Sequence, residues 1–406
     1  MDLELRHSGS FNEVDLLQWN GLLAAQPQPT PFLRWEFLSA LEHTGCTTAK
    51  TGWQPLPLTA LDSDGRIVAA ASAYLKGHSY GEYVFDWAWA DAYSRAGLNY
   101  YPKLVVASPF SPIVGSRLLA APDRPALRRQ LLAAIRSQAQ SMGLSSAHVL
   151  FASAEDLQAL QEEGWLIREG VQFHWHNPGY ASFEDYLAAL AQPKRKKIRA
   201  ERRKVQQQGV QTRMVEGADL AVEELAFFYR CYDQTYREHH SAPYLSMTFF
   251  EHLLDVLPES VVLCLAERND RPIAASFFIR DAGVLYGRYW GAIERVDCLH
   301  FEVAYYAPIQ WAIAQGMQRF EGGAQGEHKL ARGFTPVRTY SGHWLSEPAF
   351  GDAVARFLQR ESHGVEAYVD ELEARSPLRP DDLNSAGSAP NSLSDVAAAT
   401  PELDEI

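Results

Sequence analysis

Fifteen residues late in the chain, Arg319-Phe-Glu-Gly-Gly-Ala-Gln-Gly-Glu-His-Lys-Leu-Ala-Arg-Gly333, hold four glycines and six ionisable side chains. Glycine lets main-chain N–H groups come close to a ligand and form an anion-binding nest. Glu321, Glu327 and His328 are candidate proton acceptors. The N–H groups of Gly322, Gly323 and Gly326 are candidate oxyanion donors, and Lys329 and Arg332 candidate anion clamps. Those are the parts that attack of an amine on an activated acyl carbonyl requires: a base for the amine, donors for the oxyanion and cations for the phosphates of the activated donor. A plain surface loop would not combine so many glycines with so many charges.

A second concentration of charge is Lys194-Arg-Lys-Lys-Ile-Arg-Ala-Glu-Arg-Arg-Lys204, which holds eight of the 37 basic residues and one acid, Glu201. On a helix these cations cover most of the circumference, with Ile198 and Val205 as a thin apolar seam. A solvated helix ordinarily mixes signs for i, i+4 pairing, so this one is frustrated unless an anion satisfies it. Lys194, Lys196, Lys197, Arg199 and Arg203 are therefore candidate ligands for the phosphates of a nucleotide, an RNA or a lipid head group. The whole chain carries a formal charge of -13, so bulk charge excludes general nucleic-acid binding and DNA is not an expected partner.

Other constellations carry less. His174 and His176 share one face of a strand, but a third metal ligand is lacking, and no metal is expected. His239 and His240 end a helix, where a cation complements the macrodipole. Ser341 and His343 are i, i+2 neighbours on a strand, a spacing that seldom gives the contact a nucleophilic pair needs. The nucleotide-loop patterns Gly-x-x-x-x-Gly-Lys-Ser/Thr and Gly-x-Gly-x-x-Gly do not occur. The four cysteines, Cys46, Cys231, Cys264 and Cys298, are scattered, which suits a reducing cytoplasm. No leader peptide or apolar run of membrane-spanning length is read.

The elements that must position these residues follow from periodicity. Helices are expected over residues 11–23, 31–43, 123–142 and 153–164, hairpins over 56–75 and 261–280, and strands over 80–89, 147–151, 171–176, 283–291 and 337–345. Residues 193–205, 219–239 and 248–257 read as helices, 302–316 as a helix kinked at Pro308, and 350–372 as a helix open to a break at Gly364. Residues 100–107 fit helix or strand. Residues 64–74, 81–85 and 99–102 match 270–278, 287–291 and 304–308 at nearly one offset, which points to a duplicated unit. The expected organisation is repeat 1 over 1–170, repeat 2 over 171–375 and a disordered acidic tail over 376–406. No glycine-rich counterpart follows the matching helix of the first repeat, so one working site is expected, in the second half.

The segments Phe85-Asp-Trp-Ala-Trp-Ala-Asp-Ala-Tyr93, Tyr100-Tyr-Pro-Lys-Leu104, Pro109-Phe-Ser-Pro112, Lys196-Lys-Ile-Arg-Ala-Glu-Arg-Arg203, Pro243-Tyr-Leu245, Tyr305-Tyr306 and residues 321–337 resemble the FemAB-like group of N-acyltransferases. The resemblance covers roughly residues 5–370 and implies an α/β (α+β) fold of two tandem acetyltransferase-like (GNAT-like) domains. It implies acyl or aminoacyl transfer to an amine in peptidoglycan or cell-envelope precursor metabolism. Fem enzymes take the amino acid from aminoacyl-tRNA. The donor is then an aminoacyl-tRNA or an acyl-CoA, with no tightly bound cofactor. The acceptor is a small-molecule or peptide amine, with charged tRNA and peripherally contacted lipid-linked precursors as candidate partners. Tyr305 is expected to line the site. The only match to the acetyl-CoA loop of ordinary acetyltransferases, residues 319–324, lies one element too late in the chain. The alternatives are a CoA-dependent GNAT acetyltransferase and a non-catalytic protein that binds RNA or cell-wall precursors.

Overall fold

The computed structural model describes residues 4–324 and 326–378, so the segment expected to be a disordered tail lies almost wholly outside the described residues. The described residues fall into two units: 4–170 with 338–365, and 171–337 with 366–378.

In the first unit, Glu4–His7, Leu58–Leu61, Ile67–Ala71 and Leu118–Ala120 form an antiparallel sheet in that order. Ala73–Lys76 pairs antiparallel with Lys103–Val106, which runs parallel to Ser146–Val149. In the second, Val210–Glu216, Val261–Arg268, Arg271–Arg280 and Val284–Ala292 form an antiparallel run, and Val284–Ala292 pairs in parallel with Arg319–Glu321. Both units repeat one order: a strand, two helices, a hairpin, a further strand, a helix, and a closing parallel strand. This is the tandem GNAT-like arrangement. Each unit has its own apolar core. The first is built on Leu131, Ile135, Val149 and Leu160, the second on Phe173, Trp175, Phe278, Tyr306 and Phe320.

Three expectations need correction. Residues 80–89 are not a strand. Gly81 has φ +77°, and the helix Trp87–Arg95 follows. The aromatics at 83, 85, 87 and 89 alternate, but Trp89 and Tyr93, spaced i, i+4, are the buried pair and fix a helical face. Second, of the three matched pairs of segments only the hairpin pair falls on equivalent elements. Gly81 lies in a turn and Gly287 on a strand, while 99–102 leads into a strand and 304–308 lies in a helix. An insertion over residues 77–102, carrying the helix Trp87–Arg95, separates the third strand from the fourth in the first unit and breaks the offset. Third, the helix at 302–316 begins at Leu299, and the closing helix is continuous over Pro348–Ala374, with Gly364 inside it. Pro308 lacks the N–H its helix requires, and the chain absorbs this in a π-helical turn, Glu302–Tyr306, immediately before Ala307–Ala314. Residues 100–107, open between helix and strand, supply the strand Lys103–Val106.

Candidate functional site

The parallel ladder between Val284–Ala292 and Arg319–Glu321 lasts three pairs, Val284↔Arg319, Leu285↔Phe320 and Tyr286↔Glu321. The first strand then continues to Ala292, still paired on its other side. The second turns away at Gly322, whose N–H donates to the Phe173 carbonyl at 2.9 Å. The strands part as a V with Glu321 at its apex. Just past the apex a register shift opposite Phe277 and Phe278 makes Arg288 the extra residue of a bulge. Such bulges re-aim side chains and are frequent beside active sites. In the first unit, parallel pairing at the corresponding place resumes through a Gly115↔Ala152 bridge.

The glycine-rich segment wraps the end of the V, and its predicted residues divide between two faces of the sheet. Phe320 packs in the helix-side core with Phe173, so Arg319 and Glu321 face the other way, as do His174 and His176. Glu321 is 1% exposed. Its Oε1 accepts from Arg319 Nε at 3.0 Å, whereas buried Oε2 has no hydrogen-bond partner and lies 3.8 Å from His174 Nε2. Burial raises its pKa to about 7, against the opposing pull of Arg319.

On the helix side, His328 Nε2 is 3.1 Å from the Tyr305 hydroxyl. Burial, with help from Lys329 and Arg332, lowers the His328 pKa to about 4, so its ring is neutral at neutral pH. Burial raises the Tyr305 pKa, which keeps the phenol protonated and argues that it donates to Nε2. Lys329 is buried, 5.8 Å from the Phe173 ring centroid, and burial lowers its pKa to about 8. Gly326 has φ +100°, and a Cβ there would stand 2.4 Å from the His328 ring. At Gly322 a Cβ would meet the Phe334 ring at 2.8 Å. Both positions require glycine.

The structure reassigns three of the expected roles. The Gly322 N–H is taken by Phe173, so it cannot serve an oxyanion; Gly323 and Gly326 remain candidates. Arg332 is no open anion clamp: it is 2% exposed and ion-paired with Glu201 at 2.9 Å. Glu327 is exposed and paired with Arg375 at 2.8 Å, which makes it a poor base. Exposed pairs contribute about 0–1 kcal/mol. Glu327→Ala should therefore change kcat/KM of the transfer reaction by less than about threefold, as a steady-state assay would measure.

The basic segment is the helix Gln192–Gln207, and the apolar seam is where expected: Ile198 and Val205 are buried, with Glu201 between them. Lys196, Lys197, Arg199, Arg203 and Lys204 are exposed, and Lys194 is half-buried. Arg199 pairs with Glu184 at 2.5 Å, while Lys196, Arg203 and Lys204 have no ion pair among the described residues.

Sequence reasoning missed His300. It is the second residue of the helical run Leu299–Phe301, stacks on Trp290 of the diverging strand with ring centroids 4.5 Å apart, and lies 5.8 Å from the His328 ring. The available signal was its place at the helix start after the fourth strand of the unit. Also missed was a buried cluster in the first unit. Lys103 Nζ donates to Ser79, to Glu82 at 2.7 Å and to Asp86; Lys76 lies 3.8 Å from Glu82; Tyr100 donates to Asp86. Two lysines against two carboxylates balance in charge, as a buried network must. The family-like segments at 85–93 and 100–104 supply three of its members, Asp86, Tyr100 and Lys103. His343 Nδ1 meets His148 Nδ1 at 2.7 Å and Ser341 Oγ accepts from Phe151 N–H, so Ser341 and His343 form no nucleophilic pair. No group of His, Cys, Asp or Glu among the described residues could hold a metal ion, and no described helix is long and apolar enough to cross a membrane.

A family model named FemAB-like, described as peptidoglycan biosynthesis/recognition, matches residues 10–380. None of the curated proteins matches the chain. Among solved structures, FemX is 9% identical with a TM-score of 0.55, over 87% of this chain and 100% of its own. The C-terminal domain of a putative lysylphosphatidylglycerol synthetase from Agrobacterium fabrum is 10% identical with a TM-score of 0.51, over 86% and 97%. A conserved protein of unknown function from Bacteroides thetaiotaomicron is 8% identical with a TM-score of 0.52, over 84% and 100%. At such identities the likeness is one of fold.

Proposed function

The chain belongs to the FemAB-like family, and from that premise we propose how its second unit carries out transfer. It is a transferase of acyl or aminoacyl groups in peptidoglycan or cell-envelope metabolism. In our reading the acyl carbonyl of the donor enters the V between the diverging strands. The amine nitrogen attacks the carbonyl carbon and forms the C–N bond. The bond from that carbon to the donor breaks, C–O in an aminoacyl ester or C–S in a thioester, and the amine proton passes by way of Glu321 to the departing oxygen or sulfur, which leaves as the donor's hydroxyl or thiol.

Three candidate bases stood open in the sequence, and pKa matching favours one. A base works best when its pKa lies near the operating pH. Glu321, at about 7, meets that condition; His328, at about 4, is too weakly basic, and Glu327 is exposed and paired. His328 and Tyr305 then orient the donor. Lys329 supplies a cation beside the carbonyl, and the N–H groups of Gly323 and Gly326 the oxyanion contacts.

The observation that favours an aminoacyl-tRNA donor is the outer face of the basic helix. Lys196 to Lys204 are all in one helix and span about 12 Å along its axis. That length suits several successive phosphates of an RNA backbone better than one diphosphate. The acceptor is a peptide amine of a cell-wall precursor, and the site of action is the cytoplasm, where charged tRNA is present. The test is a transfer assay with each donor, paired with calorimetric titration of each. Transfer from aminoacyl-tRNA, with salt-sensitive binding, is expected. Transfer from acyl-CoA alone would overturn the donor assignment, and transfer from neither would favour a binding protein on this scaffold.

A further inference from the structure

Two consecutive residues of the basic helix, Glu201 and Arg202, turn inward, and both chains of contact end at His328. Glu201 Oε2 accepts from Arg332 Nη2 at 2.9 Å and from the Tyr306 hydroxyl. Arg332 Nη1 donates in turn to the His328 carbonyl at 2.6 Å, and its guanidinium lies 3.6 Å from the centre of the Phe301 ring. Arg202 holds Glu302 through Nε and Nη2 at 3.0 and 2.8 Å. Glu302 opens the π turn that carries Tyr305, whose hydroxyl meets His328 Nε2. His328 is thus held at both ends: its main chain through Arg332 and Glu201, its ring through the turn that Arg202 fastens. A helix that served only as an outer cationic surface would need neither contact. The single acid in a run of eight cations is the residue that faces the site.

We infer that Glu201, together with Arg202, is a positioning residue that sets the place of His328, so that an anion bound on the outer face of the helix is felt at the glycine-rich segment. This rests on the transfer reading above. Lys197 is the link to the outer face. Its Nζ lies 3.8 Å from Glu201 Oε1 one turn away, and its side chain is 62% exposed. A phosphate that draws Lys197 outward leaves the charge of Glu201 to Arg332 and Tyr306 alone, which tightens their hold. By linkage the coupling is reciprocal: occupancy of the V must change anion affinity at the helix by the same factor.

The groups that face His328 are His300, Tyr305, Lys329 and Arg332. Freed from Glu201, Arg332 drifts from the His328 carbonyl and takes its positive charge with it. The experiment is an NMR titration of histidine-labelled protein, with His328 assigned through His328→Gln, in the wild type, Glu201→Gln and Arg332→Lys. In Glu201→Gln the His328 midpoint should rise from about 4 by roughly a few tenths of a unit, and kcat should fall by about tenfold to a hundredfold with the amine KM unchanged. An unchanged or lower midpoint overturns the proposal. Should Glu201→Gln fail to fold, Lys197→Gln, at an exposed position, decides. Uncharged tRNA should move the His328 signal of the wild type and leave that of Lys197→Gln in place; equal movement in both overturns the link. If the wild type binds no tRNA, the polyanion reading of the helix falls, while the Glu201→Gln and Arg332→Lys titrations still decide the positioning role.

Discussion

Glu321→Gln should lower kcat by about 10²- to 10⁴-fold, the usual contribution of a positioned proton acceptor, and should also make the protein more stable at alkaline pH. The two effects have one cause. Glu321 is buried at the apex of the V, with one oxygen on Arg319 and the other unpartnered, and burial raises its pKa to about 7. The folded-state value lies above the unfolded one, near 4.5. Between those values the folded chain keeps a proton that the unfolded chain gives up. The contribution is therefore fully present below about 4.5 and is lost as pH rises through about 7. Above that window ionisation costs the fold roughly 3 kcal/mol, from about 1.4 kcal/mol per pKa unit. Glutamine cannot ionise and avoids this cost, less whatever the Arg319 contact contributes. The melting temperature of the variant should exceed that of the wild type at pH 8, and the gap should close toward pH 4.5. Activity gives an independent reading. The wild-type kcat/KM should climb through pH 7 as Glu321 ionises and decline above about 8 as Lys329 loses its proton. Lys329→Arg should carry the alkaline limb outward, since guanidinium stays charged. An acidic limb that persists unchanged in Glu321→Gln would remove Glu321 as the base.

Much of the frame was legible because local patterns decide it. The hairpins around 62–66 and 268–271, the cap at Ser153, and the seam of Ile198 and Val205 each depend on residues within a few positions of one another. The candidate site was legible as a segment but not as a geometry. Glu321 and His328 are seven apart in sequence, and nothing local says that a strand ends between them and places them on opposite faces of the sheet. Arg332 looks like a free cation until its partner, Glu201, arrives from 131 positions away. The aromatics at 83–89 carry a strand-like alternation, and what overrides it is distant: Lys103, at the start of another strand, takes the Asp86 carboxylate and fixes where the helix begins. Long-range ion pairs are where sequence reasoning fails here, because a charge reads the same whether its partner is water, a ligand or a buried acid.

That ambiguity is why the second large effect is expected on the outer face of the basic helix. Lys196→Glu combined with Arg203→Glu should weaken tRNA binding by about a hundredfold at physiological salt and flatten the dependence of log K on log salt by about 0.7 for each phosphate no longer neutralised. Both side chains are exposed and unpaired among the described residues, so folding should be untouched and the circular dichroism melt should overlay that of the wild type. Arg199→Glu should cost less, because Arg199 is already paired with Glu184 in an exposed ion pair. The kinetic signature separates the donors. With a long polyanion held by the helix, reversing these charges raises KM and leaves kcat in place, since Glu321, His328 and Lys329 are undisturbed. A CoA thioester, whose phosphates span only a short reach, would be nearly indifferent to the double reversal. If the variant transfers from aminoacyl-tRNA with unchanged KM and unchanged salt slope, the outer cations are a solvated face, and the donor's phosphates are held elsewhere.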